Sequence, residues 1–258
     1  MTDLAAHVMA AEQTDGSLLG TFTGEDLVDT FAPYFMPDII KDKQLDTEKL
    51  RTVLQELQTI AAHSDLIEKH KKGERASNEW DLPATMQAAL CQISGFNDAM
   101  FDLAIINLVK GDYTSFEKAY IPTVEIGVNA NTKQADLAKE FAAFVMSREV
   151  QDGDFYDGFP VNKESLHMQV NLDRSNYAAY TTIEGADGQE IGLDIEPIKA
   201  ADADKLEAIC DSLSKKTVKD AKVLEELEKA VPAYLLGRQS LDDTISKIQD
   251  GVKIYLAE

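Results

Sequence analysis

The sequence predicts a helix-rich α/β chain with a few short strands. Three observations support this class. Hydrophobic residues make up 44% of the 258 residues, which is enough to build a core and more than disordered chains contain. In several segments apolar residues recur every three or four positions, as on one face of an amphipathic helix. Shorter segments alternate apolar and polar residues, as half-buried strands do.

The first half of the chain is predicted to be mainly helical. Its clearest pattern is a stripe of Leu50, Leu54, Leu57 and Ile60 that follows Asp46, a residue type that caps helices. In order, we expect a loosely patterned start (1–20), a short helix that stops near Pro37 (24–35), a helix capped by Asp46 (47–62), a charged connector (63–78), a helix (82–89), a short buried strand (89–94) and an apolar helix (96–108).

The second half mixes strand and helix patterns. Val124, Ile126 and Val128 alternate with Glu125 and Gly127, which is typical of a strand. In order, we expect a strand (121–129), a helix with a buried stripe of Leu137, Phe141, Phe144 and Val145 (135–150), a loop (158–162), a helix from Lys163, a hairpin turning at Asp187-Gly188 (180–184 and 189–194), helices over 203–213 and 218–236, the latter kinked at Pro232, and a last helix capped by Ser240.

The charge balance excludes two classes of partner. The formal net charge is −21 at pH 7. A polyanion repels nucleic-acid phosphates and anionic membrane surfaces, so we expect neither as a partner. No apolar stretch approaches the ~20 residues that a membrane span requires, so we also expect no direct membrane insertion.

Motifs for metal, cofactor or catalysis are missing from the sequence. Cys91 and Cys210 lie in unrelated contexts and the four histidines are far apart, so we predict no metal site and no cofactor. The two cysteines are interpreted as small buried apolar side chains, although a disulfide between them stays open. We predict no catalytic residue. With 46 acidic residues, sequence spacing cannot identify a glycosidase acid pair.

A turn and an isolated tryptophan are the candidate ligand contacts. Ser94-Gly95-Phe96-Asn97 places a hydroxyl, a ring and an amide at a predicted strand-to-helix turn, where α/β folds bind ligands. Sugars bind through such combinations of aromatic faces and polar groups. Trp80 lies in a polar stretch that suits a carbohydrate platform. The alternatives are that Phe96 belongs to the core, that Asn97 caps the helix, and that Trp80 packs at an edge.

Four segments then carry a family resemblance. They are ALCQISGFN (89–97), YIPTVEIGVNA with the helix DLAKEFAAFVMSREVQ (120–130 and 136–151), GFPVNKE (158–164) and VPAYLLGRQSLDDTISKIQDGVKIYLAE (231–258). In this order they resemble the extracellular solute-binding proteins of bacterial carbohydrate ABC importers, the maltose-binding-protein-like group. The resemblance covers residues from about 82 to 258.

The resemblance implies a periplasmic-binding-protein-like fold of type II, of which this chain holds the C-terminal lobe (1–119 and 156–258) and a crossover strand and helix of an incomplete N-terminal lobe (120–155). It implies that the protein captures a carbohydrate between two lobes and delivers it to permease subunits, without catalysis. It implies that Ser94, Phe96 and Asn97 contact the ligand, and that Gly158, Phe159 and Pro160 form a loop beside the hinge. It places the protein outside the cell, at its surface or in the periplasm, often as a lipoprotein, although residues 1–20 show no export signal.

One consequence can be checked in a structure. Because the early βαβ units of the first lobe are not found in the sequence, we expect unusual exposure of apolar residues within 121–150. The alternative functions are an acidic protein-interaction domain, which a contiguous exposed apolar patch would favour, and a glycoside hydrolase, which two carboxyl groups in one pocket would favour.

Overall fold

The computed structural model of the chain describes residues 5, 21–69, 81–82, 93–109, 112–153, 158–173, 179–185 and 189–257. It is α/β and helix-rich, as the sequence predicts. Its elements, in chain order, are β1 (Thr21–Thr23), α1 (Gly24–Ile39), β2 (Ile40–Lys41), β3 (Gln44–Leu45), α2 (Thr47–Ala62), β4 (Asp65–Ile67), β5 (Asp81–Leu82), α3 (Phe96–Val109), β6 (Ala119–Tyr120), α4 (Ala135–Val145), α5 (Arg148–Gln151), α6 (Lys163–Val170), β7 (Ala179–Gly185), β8 (Glu190–Ile195), α7 (Ala200–Ser212), β9 (Lys215–Lys216), α8 (Ala221–Leu235) and α9 (Leu241–Ala257).

Side-chain caps begin most of the long helices. Thr23 and Asp26 form a reciprocal capping box at the start of α1, and Asp46 accepts the Lys49 backbone N–H at the start of α2, as predicted. At α9, the Asp243 N–H donates to the Ser240 hydroxyl, which confirms the predicted cap. Each such contact satisfies a backbone donor that has no partner within the helix.

The predicted end of α1 near Pro37 is wrong. The helix runs through Pro33 and Pro37 to Ile39. A proline inside a helix removes a hydrogen bond and crowds the preceding turn. Here the last turn of α1 is fully buried at Met36 and Ile39, and this apolar burial outweighs the cost of the two prolines.

The main core lies among α1, α2, α8 and α9. Gly24 brings the start of α1 against Pro232 of α8, because a β-carbon at Gly24 would lie only 2.8 Å from that proline. The members of this core that are fully buried include Leu27, Phe35, Met36, Ile39, Leu50, Leu54, Leu57, Ile60, Leu227 and Ile248. The stripe predicted for α2 is therefore confirmed, and α9 likewise buries Ile245, Ile248, Val252 and Leu256.

A second, smaller layer carries the candidate site. The hairpin β7–β8 is antiparallel, as the sequence predicts, and β5 pairs in parallel with β7 to give the strand order β5-β7-β8. Helix α3 packs on β8 and buries Ile105 against Ile183 and Leu193. Beside it, α6 packs on α7 around Leu166, Val170 and Ala203.

Residues 119–151 differ most from the predicted elements. The strand predicted over 121–129 is wrong, because the described backbone pairs only at β6, which lies parallel to β9. Strand β9 ends at Lys216, so the backbone beyond Tyr120 has no described strand to pair with there, and Pro122 lacks an N–H to donate. The helix predicted over 135–150 is two helices, with a break at Met146–Ser147 where the Ser147 hydroxyl donates to the Phe144 carbonyl.

The buried stripe predicted for α4 is also wrong, whereas the expected exposure is confirmed. Helix α4 contains no buried residue, and Leu137, Phe141 and Phe144 are all exposed. Within 121–128, Ile121, Val124, Ile126 and Val128 are exposed as well. The amphipathic pattern is real, but no described part of the chain covers the apolar face.

Several predicted elements fall on residues that are not described. Most of the helix predicted over 82–89 and of the strand predicted over 89–94 lies outside the described residues. Leu82 itself is in β5 rather than a helix, and residues 93–94 are not in a strand. Strands β1 and β4, which pair in parallel, were not predicted. None of the described helices combines the length and the apolar run needed to cross a bilayer.

Candidate functional site

The predicted turn at Ser94–Asn97 opens helix α3. The backbone N–H of Ser94 donates to the Asp98 carboxylate at 3.1 Å, and the Ser94 hydroxyl donates to the same oxygen. The first helical bond runs from the Ala99 N–H to the Gly95 carbonyl. Asn97 therefore lies inside the first turn and is exposed, so its interpretation as a helix cap is wrong.

The structure brings two predicted site residues into contact. The rings of Phe96 and Phe159 meet edge to face, with centroids 5.0 Å apart and an interplanar angle of 90°. Both rings pack on the small core between α6 and α7. The interpretation of Phe96 as a packing residue is thus supported, since its ring is partly buried and is in contact with the ring of Phe159. The contact fastens the turn that begins α3 to the loop over 158–162.

That loop is held by buried and constrained groups. Gly158 has φ +125°, a region that residues with side chains rarely adopt, and its Cα faces Thr123. Pro160 is buried. The buried amide of Gln151 donates to the Val145 carbonyl at 3.0 Å and accepts the Val161 N–H at 2.9 Å. Gln151 therefore joins the break between α4 and α5 to the loop.

A small cleft lies one helical turn beyond Phe96. Its volume is about 150 Å³. The floor is apolar and comes mainly from α3, while the polar rim comes from the carboxyl end of β8 and the start of α7. The lining residues are Met100, Leu103, Ala104, Asn107, Asp194, Glu196, Pro197, Ile198, Lys199 and Asp202. Ile198 also packs on the α6–α7 core with Phe96 and Phe159, so the cleft and the aromatic pair are neighbours.

The cleft is acidic, with one basic group on its rim. Lys199 lies 3.1 Å from Glu196 in an exposed ion pair. At Asp202, the Tyr113 hydroxyl donates to the carboxylate at 3.4 Å. Burial and the negative charge of Asp202 raise the pKa of Tyr113 to about 12, so the phenol stays a proton donor at neutral pH. Lys205 covers the Tyr113 ring at 3.9 Å, which fixes this side of the cleft.

This arrangement can accept hydrogen bonds from hydroxyl groups. Carboxylates at Asp194, Glu196 and Asp202 are acceptors, and the Asn107 amide both donates and accepts. Within the part of the chain that is described, no group of three or more His, Cys, Asp or Glu is placed to hold a metal ion. The three carboxylates therefore line the cleft without converging on one point.

The sequence predicted part of this region and missed the rest. Phe96, Phe159 and Pro160 lie together, Ser94 binds Asp98, and Asn97 faces solvent; Trp80 lies outside the described residues. The cleft residues Asp194 and Glu196 were missed, because they lie at the end of β8, which runs antiparallel to β7, whereas the rule for α/β ligand sites concerns parallel strands. Asn107 and Asp202 come from separate helices and have no local signal.

Cysteine chemistry is absent from the described site. Cys210 is a free thiol that packs on the α6–α7 core, in keeping with a small apolar role. Burial raises its pKa to about 11. Cys91 lies outside the described residues.

The sequence matches no protein-family model, and no curated protein matches it.

Proposed function

We propose that this chain is the ligand-binding part of an ABC-importer solute-binding protein. In this proposal it forms the C-terminal lobe of a type II fold and offers one wall of a carbohydrate site. A second lobe closes over the bound sugar, and the closed form is presented to the permease outside the cell. No chemical step is required of the chain.

The observation that carries the proposal is the cleft beside α3. It sits at the carboxyl end of β8, where three carboxylates and an amide meet an apolar floor. Ligand sites in proteins combine such an apolar surface with a few polar groups that fix orientation. Sugar hydroxyls suit these acceptors.

The size of the cleft supports a site with one wall. At about 150 Å³ it is smaller than the ~300–1,000 Å³ of pockets that enclose a small molecule. A ligand held here keeps much of its surface in water. Each charge-assisted hydrogen bond contributes only ~1.5–3 kcal/mol, and association itself costs at least ~4 kcal/mol. We therefore expect sugar to bind to this chain weakly, with dissociation constants of ~1 mM or more.

Saturation-transfer NMR with a panel of mono- and oligosaccharides tests this proposal. We expect a signal from at least one sugar, and loss of that signal in Asn107→Ala and Asp194→Asn. The matched control is Asp250→Asn, which changes an exposed acid of α9 that does not line the cleft. The control should bind the same sugar as the original chain.

Three results would contradict the proposal. These are no transfer to any sugar in the panel, equal loss of signal in the Asp194 and Asp250 variants, and micromolar binding by calorimetry, which one open wall cannot supply. The same samples reveal hydrolysis of the oligosaccharides, which the glycoside-hydrolase alternative predicts and this proposal does not.

A second candidate function is favoured by a different observation. The apolar residues within 121–146 form a large exposed surface away from the cleft. Exposed apolar surface of this kind is typical of protein-interaction sites. An acidic protein-interaction domain therefore stays the alternative, and it predicts a partner protein but no sugar binding.

A further inference from the structure

We propose that two copies of this chain pair through the apolar surface formed by residues 123–131, helix α4 and Met146 just after it, here called the arm–helix surface. The pair is symmetric, so the same face of each copy meets the other. The proposal depends on the exposed surface and not on the proposed transport role. Its exposed apolar side chains are Val124, Ile126, Val128, Leu137, Phe141, Phe144 and Met146.

The first half of this surface is an arm that lies in solvent. All nine residues from 123 to 131 are exposed, and Val124 is 84% exposed. The arm follows β6, and none of the described strands pairs with it. Its alternating apolar residues are those of an open edge strand, which another chain can extend. Antiparallel pairing of two arms about Ile126 would set Val124 opposite Val128 of the second copy.

The second half is the apolar stripe of α4. Leu137 and Phe141 are each 60% exposed and Phe144 is 46% exposed. They lie at offsets of four and three residues, so they share one face of the helix. An exposed stripe of this kind is unfavourable in water and gains free energy from any apolar cover.

The arm and α4 meet at the same loop. Thr123, at the start of the arm, faces Gly158. The amide of Asn162 donates to the Met146 carbonyl, just after α4, at 3.2 Å. Residues 158 and 162 are only four positions apart, so the arm and the helix approach each other there. A second copy could thus contact both at once.

The area is sufficient for a moderate dimer. Seven apolar side chains at 38–84% exposure present on the order of 600 Å² per copy. A standard interface buries ~800 Å² per partner, and weak ones bury less. With a polar rim added, two such faces give an interface at the lower end of the stable class, and we expect a dissociation constant of ~1–100 µM.

Local charge identifies the occupant as a second copy. Residues 121–150 contain three basic and four acidic residues, so this part of the chain carries −1 of the total −21: Lys133, Lys139 and Arg148 against Glu125, Asp136, Glu140 and Glu149. A basic partner would find its complement elsewhere on the molecule. A nearly neutral apolar face is complemented by an equally neutral one, and the remaining acidic charge is screened at distances beyond ~8–10 Å.

Analytical ultracentrifugation of the full chain, from about 5 to 200 µM, tests the proposal. We expect a monomer–dimer equilibrium that becomes tighter when salt rises from about 50 to 500 mM, because salt screens the repulsion between two acidic copies. Val124→Lys and Phe141→Lys should each weaken the dimer at least ~10-fold. Ile254→Lys is the matched control, since Ile254 is 76% exposed on α9 and lies outside the arm–helix surface. Circular dichroism checks that each variant keeps its helix content.

The sedimentation results distinguish a dimer through the arm–helix surface from a monomer and from a dimer through another surface. A dimer that tightens with salt and weakens only in the two surface variants supports the proposal. A chain that stays monomeric at the highest concentration overturns it. A dimer that Ile254→Lys weakens as much as Phe141→Lys also overturns it, because the contact then involves α9. A dimer that weakens as salt rises overturns it as well, because charged groups then hold the two copies together.

Discussion

Removing the ring of Phe159 tests whether the aromatic pair fastens the turn before α3 to the 158–162 loop. Phe159 is partly buried and its ring centroid lies 5.0 Å from that of Phe96. Burial of about half of a ~200 Å² ring contributes ~2–3 kcal/mol, and the edge-to-face contact adds ~0.5–1.5 kcal/mol. We therefore expect Phe159→Ala to lower the free energy of unfolding by ~2.5–4.5 kcal/mol.

A double-mutant cycle separates the contact from simple burial. Phe96→Ala, Phe159→Ala and the double variant are compared by urea denaturation, followed by circular dichroism. We expect a coupling energy of ~0.5–1.5 kcal/mol, because each single variant already loses the shared contact. Leu172→Ala, at an exposed apolar position just after α6, should change stability by less than ~0.5 kcal/mol. Additive effects, with a coupling below ~0.3 kcal/mol, would refute the reasoning.

Four further predictions concern the loop, the cleft rim and the thiol. Gly158→Ala should cost ~1–3 kcal/mol in a denaturation experiment, since φ is +125°; a neutral result would show that the loop relaxes. Gln151→Leu should cost ~1–3 kcal/mol by leaving a backbone N–H and a carbonyl unpaired, and unchanged stability would contradict that role. Because the pKa of Tyr113 is raised to about 12, the neutral phenol stabilises the fold fully below pH ~10, and this stabilisation is lost as pH rises towards 12. Tyr113→Phe should remove this part of the pH dependence of the free energy of unfolding, measured by denaturation. With its pKa near 11, Cys210 should react with iodoacetamide far more slowly than a free thiol at pH ~8, measured in a Cys91→Ser background, and rapid labelling would contradict its burial.

The sequence predicted the elements that local chemistry determines. Helix α2 follows from the Asp46 cap and its stripe, and the β7–β8 hairpin follows from alternation around Asp187-Gly188. These signals need only neighbouring residues. The continuation of α1 through Pro33 and Pro37 was not predictable in this way, because it depends on burial against α8, which lies nearly 200 residues away.

The candidate site was predicted only where one segment supplies it. Phe96 and Phe159 were each identified, but their contact requires α3 and the 158–162 loop to meet in space. The cleft combines Asn107 of α3 with Asp202 of α7, and nothing in the local sequence links them. Asp194 ends a strand that the sequence predicts, but this strand is antiparallel to β7, so the rule that places α/β sites at the carboxyl ends of parallel strands does not identify it.

Helix α4 shows what periodicity can and cannot establish. The spacing of Leu137, Phe141 and Phe144 shows that one face of the helix requires apolar cover, and the helix is present as predicted. It does not show which polypeptide supplies that cover. The described residues leave this face in water, and an 11-residue helix without tertiary support is only marginally stable. If a second copy covers it, hydrogen exchange at the α4 amides should slow as protein concentration rises through the dimer range, while exchange in α9 should not change. Equal protection at all concentrations would mean that α4 is stable without a partner.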